Sequence, residues 1–210
     1  LPEAPGHAAK RVPDPHRLPR LQGTAFDVPH LRENLAALLT ALPAVPDEAA
    51  VTEMLAHFQF PPHRMQRLEL PGGIQAIDDS KSTCLSATLA ALRSFPGPVS
   101  LFMGGISKAE PMGLLADELS RGNVKLYLFG QDGPVFARAW EGLPQRLSVH
   151  PALPEAVETA FLHLAPDEIL LFSPGCASFD QYASYSERAE HFQQILLRTI
   201  QQHRIQNEVI

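Results

Sequence analysis

The 210-residue sequence has only two cysteines, Cys84 and Cys176, and they show no CxxC spacing. This argues against a disulfide framework or a cysteine-based zinc site and fits a reducing compartment. No apolar stretch approaches the roughly 18 to 20 residues that span a bilayer, and the start lacks a basic-then-apolar signal pattern. There is no run of Lys or Arg, and the net charge is −6. Nucleic acid and anionic membranes are therefore unfavourable partners, and we expect a cytoplasmic protein that binds a small molecule or another protein.

Motifs for metal and phosphate binding are missing as well. The nine histidines form no HExxH or similar ligand spacing, so we predict no metal site and interpret them as surface or loop residues. No GxxxxGKS/T motif occurs, so this chain does not cradle the triphosphate if ATP is used. The first residue is Leu1 rather than Met, which favours a longer protein with an upstream segment.

The first sixty residues differ from the rest in composition and in their pattern of apolar residues. Proline is abundant from Leu1 to about Pro29, which predicts an irregular or extended chain. Two helical patterns follow, at residues 31–42 and 46–58. A Pro-Pro pair then interrupts the chain, and we place a domain boundary there, between residues 1–60 and 61–210.

From Met65 onward, short apolar runs alternate with amphipathic stretches. The apolar runs are MQRLEL, IQAIDDS, VSLFMGG, KLYLFG, RLSVHP and EILLFSPG. The helical patterns cover residues 83–95, 111–121, 134–140, 154–164 and 187–203. This alternation predicts an α/β fold with a doubly wound, mostly parallel, Rossmann-like sheet, and the Pro-Gly-Gly turn between the first two runs predicts an edge hairpin. Such sheets bind ligands beyond the carboxyl ends of their strands, which selects the loops DDSKST, GGISKAE, FGQDG and SPGCASFDQY.

Two of these loops carry cationic and hydroxyl groups. The segment from Asp78 to Thr83 places carboxylates, an ammonium and hydroxyls beside a helix start, where an anion is favoured. The alternative is a capped helix with Ser80 or Ser82 at its N-cap. After the most apolar strand, paired glycines would let a ligand or a second backbone approach closely, and Lys108 would then hold a carboxylate. The alternative there is a tight turn with a solvated lysine.

The last loop, residues 173–180, is built from small residues. Its backbone can pass close to a ligand, and Ser178 offers a hydroxyl. Cys176 has no histidine partner that the sequence identifies, and we interpret it as a packing residue rather than a nucleophile.

Taken together, these motifs resemble the glutamate-ligase domain of the Mur ligase family, and most closely the type that adds D-glutamate. The family pattern N-D-S-K-A-T-N stands here as DDSKSTC at residues 78–84, and L-L-G-G with a following lysine stands as FMGG and Lys108. The long pattern S-P-A-C-A-S-x-D-Q-F/Y-x-x-F/Y-x-x-R-G matches residues 173–188, with Ala189 in place of the final glycine. A P-H-R junction is present at residues 62–64. Upstream, H-N-x-x-N-x-x-A aligns with residues 30–37, which makes residues 1–60 the expected tail of the central ATP-binding domain.

The resemblance implies an ATP-dependent ligase of peptidoglycan biosynthesis, which joins D-glutamate to UDP-N-acetylmuramoyl-L-alanine through an acyl phosphate. It implies that Arg64 and Asp79 contact the adenosine of ATP and that Lys81, the expected catalytic residue, lies near the phosphates. The expected substrate-binding residues are Thr83, Lys108, Ser178, Phe179 and Tyr185. The phosphate loop, the Mg²⁺ ligands and the UDP-binding domain would lie upstream of Leu1, so we expect this chain alone to be inactive.

Two positions depart from the family pattern. Leu31 replaces an asparagine that touches the nucleotide in the family, and Cys84 replaces the asparagine that ends the first motif. Leucine forms no side-chain hydrogen bond, so we expect adenine recognition to be weaker or arranged differently. Two other interpretations stay open at this point: a folylpolyglutamate-type or other Mur ligase domain, and a non-catalytic binding module with the same fold.

Overall fold

The computed structural model describes residues 29–42, 47–58, 60–143 and 146–208. The chain divides into two compact units, with the division between Phe60 and Pro61. The predicted irregular segment before Pro29 lies outside the described residues. Within the described part of the chain, no helix is long and apolar enough to cross a membrane.

The first unit contains two helices, α1 (Pro29–Ala41) and α2 (Glu48–Ala56). Asp47 caps α2, because its side chain accepts a hydrogen bond from the Ala50 amide at 2.8 Å, as expected for an N-cap aspartate. The apolar residues at helical spacing pack together into one cluster, composed of Leu31, Leu35, Leu39, Val51 and Leu55. Leu31 is therefore a core residue of this unit, with 3% of its surface exposed.

The second unit is built on a six-stranded sheet with the order β1-β2-β6-β3-β4-β5. The strands are β1 (Gln66–Glu69), β2 (Gln75–Asp78), β3 (Val99–Gly104), β4 (Val124–Phe129), β5 (Arg146–His150) and β6 (Ile169–Phe172). Of the strands that the structure describes, only β1 runs antiparallel, paired with β2 across the short 3-10 turn Pro71–Gly73. The other neighbours are parallel. The predicted α/β class, mostly parallel sheet and edge hairpin are confirmed.

Helices cover both faces of this sheet. They are α3 (Leu85–Leu92), α4 (Ala116–Leu119), α5 (Gly133–Ala139), α6 (Leu153–Leu162) and α7 (Tyr185–Glu208). Alternate residues of the central strands point to opposite faces. Leu101 and Met103 of β3 therefore pack with side chains of α3, α4 and α5, whereas Phe102 packs with those of α6 and α7. Burial on both faces explains why these strands read as continuous apolar runs.

One predicted helix is shorter than expected. Residues 111–121 form a 3-10 turn, Met112–Leu115, followed by the single-turn helix α4. Glu118 anchors this short element, because its carboxylate pairs with Arg93 and Arg121, each at 2.8 Å.

Candidate functional site

Close backbone contacts bring together the loops that follow β3, β4 and β6. A Cβ atom on Gly104 would lie 2.0 Å from the Phe129 carbonyl oxygen, and one on Gly105 would lie 2.1 Å from that of Ala177. Only glycine fits at either distance. Next to Gly105, Ile106 and Ala177 exchange two backbone hydrogen bonds of 2.9 Å. The predicted close approach at the paired glycines is confirmed, and the partner is a second backbone.

Arg188 joins the end of β3 to the loops that follow β2 and β6. Its guanidinium is fully buried and donates to three carbonyl oxygens, those of Gly104 (3.2 Å), Ser80 (3.2 Å) and Cys176 (3.0 Å). The Gly104 carbonyl lies at the end of β3, and the other two belong to the loops after β2 and β6. Burial lowers the pKa of Arg188 to about 10, so the side chain is still a cation at neutral pH. Sequence reasoning matched this residue to a family motif but assigned it no role.

Asp79 is the most strongly perturbed carboxyl of the candidate site. One oxygen accepts hydrogen bonds from the hydroxyls of Ser82 (2.5 Å) and Ser173 (2.8 Å), and the other accepts from the Met65 amide at 3.2 Å. Burial nevertheless raises the pKa of Asp79 to about 6, against the opposing effect of these bonds and of the nearby Arg64 charge. The first loop is thus organised around a buried carboxyl, while Arg64 itself is exposed.

The junction residue His63 is part of the same framework. Its Nδ1 lies 2.8 Å from Asp78 Oδ2, and Gln193 of α7 donates to that oxygen at the same distance. The His63 carbonyl accepts the Lys81 amide at 3.0 Å, and the His63 ring meets Tyr185 edge to face at 6.4 Å between centroids. His63 is a loop residue, as predicted, but its pairing with a fully buried aspartate had no signal in the sequence.

The predicted substrate-binding residues fall into two groups. Thr83 and Lys108 come from different loops and touch, because Lys108 Nζ donates to Thr83 Oγ1 at 3.2 Å. Ser178 and Phe179 belong to the segment between β6 and α7, and Tyr185 is the first residue of α7. Ser178 is buried, Tyr185 is half-buried, and Phe179 is exposed over 71% of its surface. Among the described residues, no hydrogen bond joins the second group to the Thr83–Lys108 pair.

The start of α3 differs from the expected cap. The N-cap position belongs to Cys84, which forms no side-chain cap bond, so the alternative with Ser80 or Ser82 at the N-cap is wrong. Both serines instead hydrogen-bond to the aspartates before them. The free amides of Leu85 and Ser86 donate to Glu110, a residue of the loop after β3 that sequence reasoning missed. The sequence feature that could have indicated this contact is Cys84, a poor N-cap residue at the start of α3.

Cys176 does not fit the role of a nucleophile. It is fully buried, and burial raises the pKa of its thiol to about 12. The thiolate, which is the reactive form, is therefore scarce at neutral pH. Its interpretation as a packing residue agrees with the structure.

We expect Asp79→Asn to change how stability depends on pH. The folded state raises the pKa of Asp79 from 3.8 to about 6. Protonated Asp79 therefore stabilises the folded protein fully below about pH 4, and this stabilisation is lost as the pH rises through about 6. The free energy of unfolding of the wild type, relative to Asp79→Asn, should fall by up to about 3 kcal/mol across this range. Urea unfolding at several pH values measures this difference. Asp117→Asn, at an exposed acid on α4, is the control; a pH-independent difference for Asp79→Asn would contradict the assignment.

Two solved structures share this architecture. The MurF ligase of Thermotoga maritima, in complex with ADP, superimposes with a TM-score of 0.52 at 16% identity, covering 82% of this chain and 39% of that one. A folylpolyglutamate synthase/dihydrofolate synthase from Yersinia pestis gives a TM-score of 0.52 at 14% identity over 80% of this chain and 39% of its own. At such identities the likeness shows the fold alone. The shared fold is a mostly parallel α/β sheet covered by helices on both faces.

Sequence relatives identify the family. No protein-family model matches the chain. The UDP-N-acetylmuramoylalanine–D-glutamate ligase of Elusimicrobium minutum is 34% identical over 84% of this chain, and that of Thermus thermophilus is 39% identical over 70%. The chain belongs to the Mur ligase family. It spans 38% and 36% of the length of these two relatives.

Proposed function

We propose that this chain is the C-terminal part of an ATP-dependent ligase that joins D-glutamate to UDP-N-acetylmuramoyl-L-alanine in the cytoplasm, as a step of peptidoglycan biosynthesis. The observation that carries the proposal is the contact between Lys108 and Thr83 at the carboxyl end of the sheet. It sets an exposed cation and a hydroxyl side by side, as a carboxylate ligand requires. The names of the two sequence relatives support this choice of substrates.

In this proposal, D-glutamate lies between two sets of loops. Lys108 and Thr83 hold one carboxylate, and Ser178 donates to the other, with Phe179 and Tyr185 completing the site. Converging donors orient the amine toward an acyl phosphate of the L-alanyl group, which ATP forms by phosphorylating that carboxylate. The amine displaces phosphate and forms the amide. The contribution of this chain is to orient the nucleophile, which is a major source of rate enhancement in such reactions.

In the same proposal, ATP would bind next to the first loop. A carboxylate has about four lone-pair sites, and the described residues fill three of those on Asp79. The charge of the exposed Arg64 acts on the Asp79 carboxyl, so the adenosine contacts that we propose for these two residues fall at one place, and this supports the binding of ATP there. Lys81 would lie near the phosphates as the catalytic residue. ATP with Mg²⁺ would supply the phosphoryl group, and we assign the metal and phosphate ligands to the segment upstream of Leu1.

We also propose that residues 1–60 are the tail of the central ATP-binding domain and residues 61–210 the glutamate-ligase domain. The division of the chain between Phe60 and Pro61 supports this boundary. Because Leu31 packs within the first unit, its side chain is placed to stabilise that unit. Adenine contact would then come from other positions.

Lys108→Ala tests the proposed function in the full-length ligase. Loss of a charged hydrogen bond should lower kcat/KM for D-glutamate by about 10- to 150-fold with ATP saturating. Ser178→Ala should cost less, since only a neutral donor is lost. Arg138→Ala removes an exposed cation of α5 and serves as the matched control. A change below about twofold for Lys108→Ala would make Lys108 an ordinary surface lysine.

A folylpolyglutamate-type ligase is the second candidate, because the Yersinia pestis folylpolyglutamate synthase/dihydrofolate synthase has the same fold. It would use L-glutamate and a folate in place of D-glutamate and the UDP-sugar. Assaying the full-length protein with both pairs of substrates separates the two functions.

A further inference from the structure

Glu110 caps a helix that begins 25 residues before it in the sequence. One carboxylate oxygen accepts the Leu85 amide at 2.6 Å, and the other accepts the Ser86 amide at 3.3 Å. The first amides of a helix have no partner within the helix and favour negative charge. Because Cys84 forms no cap bond, Glu110 supplies from another loop what the local sequence lacks.

This cap lies directly beside the proposed carboxylate-binding pair. Thr83 is two residues before Leu85, and Lys108 is two residues before Glu110. The Glu110 amide donates to the Lys108 carbonyl at 2.8 Å, so a tight turn joins the two residues. The two loops are therefore connected twice in parallel: Glu110 binds the start of α3, and Lys108 contacts Thr83 at 3.2 Å.

The two connections differ in strength. The Lys108–Thr83 contact is exposed, and a long lysine side chain loses considerable rotational freedom when it is held in one place. All of these bonds are charge-assisted, but the carboxylate of Glu110 forms two of them, one part-buried and only 2.6 Å long, whereas Lys108 forms one exposed bond of 3.2 Å with Thr83. Glu110 is thus the stronger connection, and it limits where the turn carrying Lys108 can lie.

The charge of Glu110 also affects the choice of anion site. The unpaired amides at the start of a helix attract carboxylates. Without Glu110, the first amides of α3 would compete with Lys108 for the carboxylate of the ligand. Glu110 occupies that position. Among the described residues no ion pair joins Glu110 to Lys108, so the lysine charge is left for a ligand.

We propose that Glu110 is a positioning residue for the amino-acid site: by capping α3 it holds Lys108 against Thr83 and keeps the ligand carboxylate away from the helix start. This rests on the proposed function, because it assumes that Lys108 binds the carboxylate of the incoming amino acid. Glu110 itself does not touch the substrate. Its effect should therefore appear in the KM for D-glutamate and depend on the presence of Lys108.

The test compares Glu110→Ala and Glu110→Gln in the full-length ligase. We expect Glu110→Ala to raise the KM for D-glutamate by about 5- to 30-fold, with kcat and the KM for ATP within about twofold. Glu110→Gln, which keeps an amide oxygen for one α3 N–H group, should recover part of the loss. Asp117→Ala, at a nearby exposed acid, is the matched control and should leave all three constants unchanged.

A double-mutant cycle decides whether Glu110 acts through Lys108. If it does, Lys108→Ala in the Glu110→Ala background should cost much less than in the wild type, because the lysine is already misplaced. Additive losses, or equal effects of Glu110→Ala on both substrates, would overturn the inference and leave Glu110 as a helix cap only. A full-length protein that does not use D-glutamate would contradict the proposed function. A large effect of Lys108→Ala without an effect of Glu110→Ala would contradict only the inference.

Discussion

Gly105→Ala is expected to destabilise the protein by about 4 kcal/mol or more, an effect reached only by backbone strain or severe steric conflict. Gly105 has φ of +121°, and an added Cβ would lie 2.1 Å from the Ala177 carbonyl oxygen. That oxygen already accepts the Ile106 amide at 2.9 Å. It cannot move away without breaking the bridge between the two loops. Urea denaturation followed by circular dichroism measures the loss.

Gly97→Ala is the matched control for this substitution. Gly97 precedes β3, and an added Cβ would meet no atom within 4 Å. We expect its free energy of unfolding to stay within about 0.5 kcal/mol of the wild type, as is usual for surface changes. Equal unfolding midpoints for the two variants would contradict the prediction, because they would show that the loop backbone shifts to accommodate a methyl group at Gly105.

Arg188→Met is expected to destabilise the protein by about 3 kcal/mol. Removing the guanidinium leaves the buried carbonyls of Gly104, Ser80 and Cys176 without their donor, and each unsatisfied group costs about 1 to 3 kcal/mol. An opposing effect is present, since burial disfavours the cation and its Nε lacks a partner among the described residues. The loss of three hydrogen bonds outweighs the relief of one buried charge, so the free energy of unfolding should fall.

Arg198→Met provides the comparison, because Arg198 lies on an exposed position of the same helix and its removal should change stability by less than about 0.5 kcal/mol. Chemical denaturation of both variants gives the two values. If Arg188→Met were as stable as the wild type, the desolvation of the cation would cancel its hydrogen bonds, as happens at some buried charged sites.

The fold could be predicted because its signals are local. Continuous apolar runs such as VSLFMG and KLYLF, separated by helical patterns, are what parallel strands covered on both faces require. The element boundaries were less accurate. The stretch 111–121 has helical spacing of its leucines, but it forms only a 3-10 turn and one helical turn. Pro111 and Gly113 both lower the helical preference there.

The candidate site was predicted in part, and the missing part depends on contacts between distant residues. The loops themselves follow from the strand ends, and the contact of Lys108 with Thr83 agrees with their assignment to one site. The cap formed by Glu110 joins positions 25 residues apart, and the pairing of His63 with Asp78 joins positions 15 apart. Neither pair has a spacing that local periodicity predicts. Arg188 lies in a helix that reads as amphipathic, where an arginine is normally expected to face solvent.

The fastening of the strand-end loops has a consequence for how such a domain can diversify. Within the described residues, the hydrogen bonds of Arg188 all go to carbonyl oxygens, and the bridge between Ile106 and Ala177 uses main-chain atoms. These bonds fix the path of the loops without requiring particular side chains at Ser80, Cys176 or the bridge positions. Mutations that exchange side chains on the loops can therefore accumulate while the backbone of these loops keeps its conformation. A scaffold of this kind permits the ligand specificity of its loops to change by substitution alone, without insertion or deletion of loop residues.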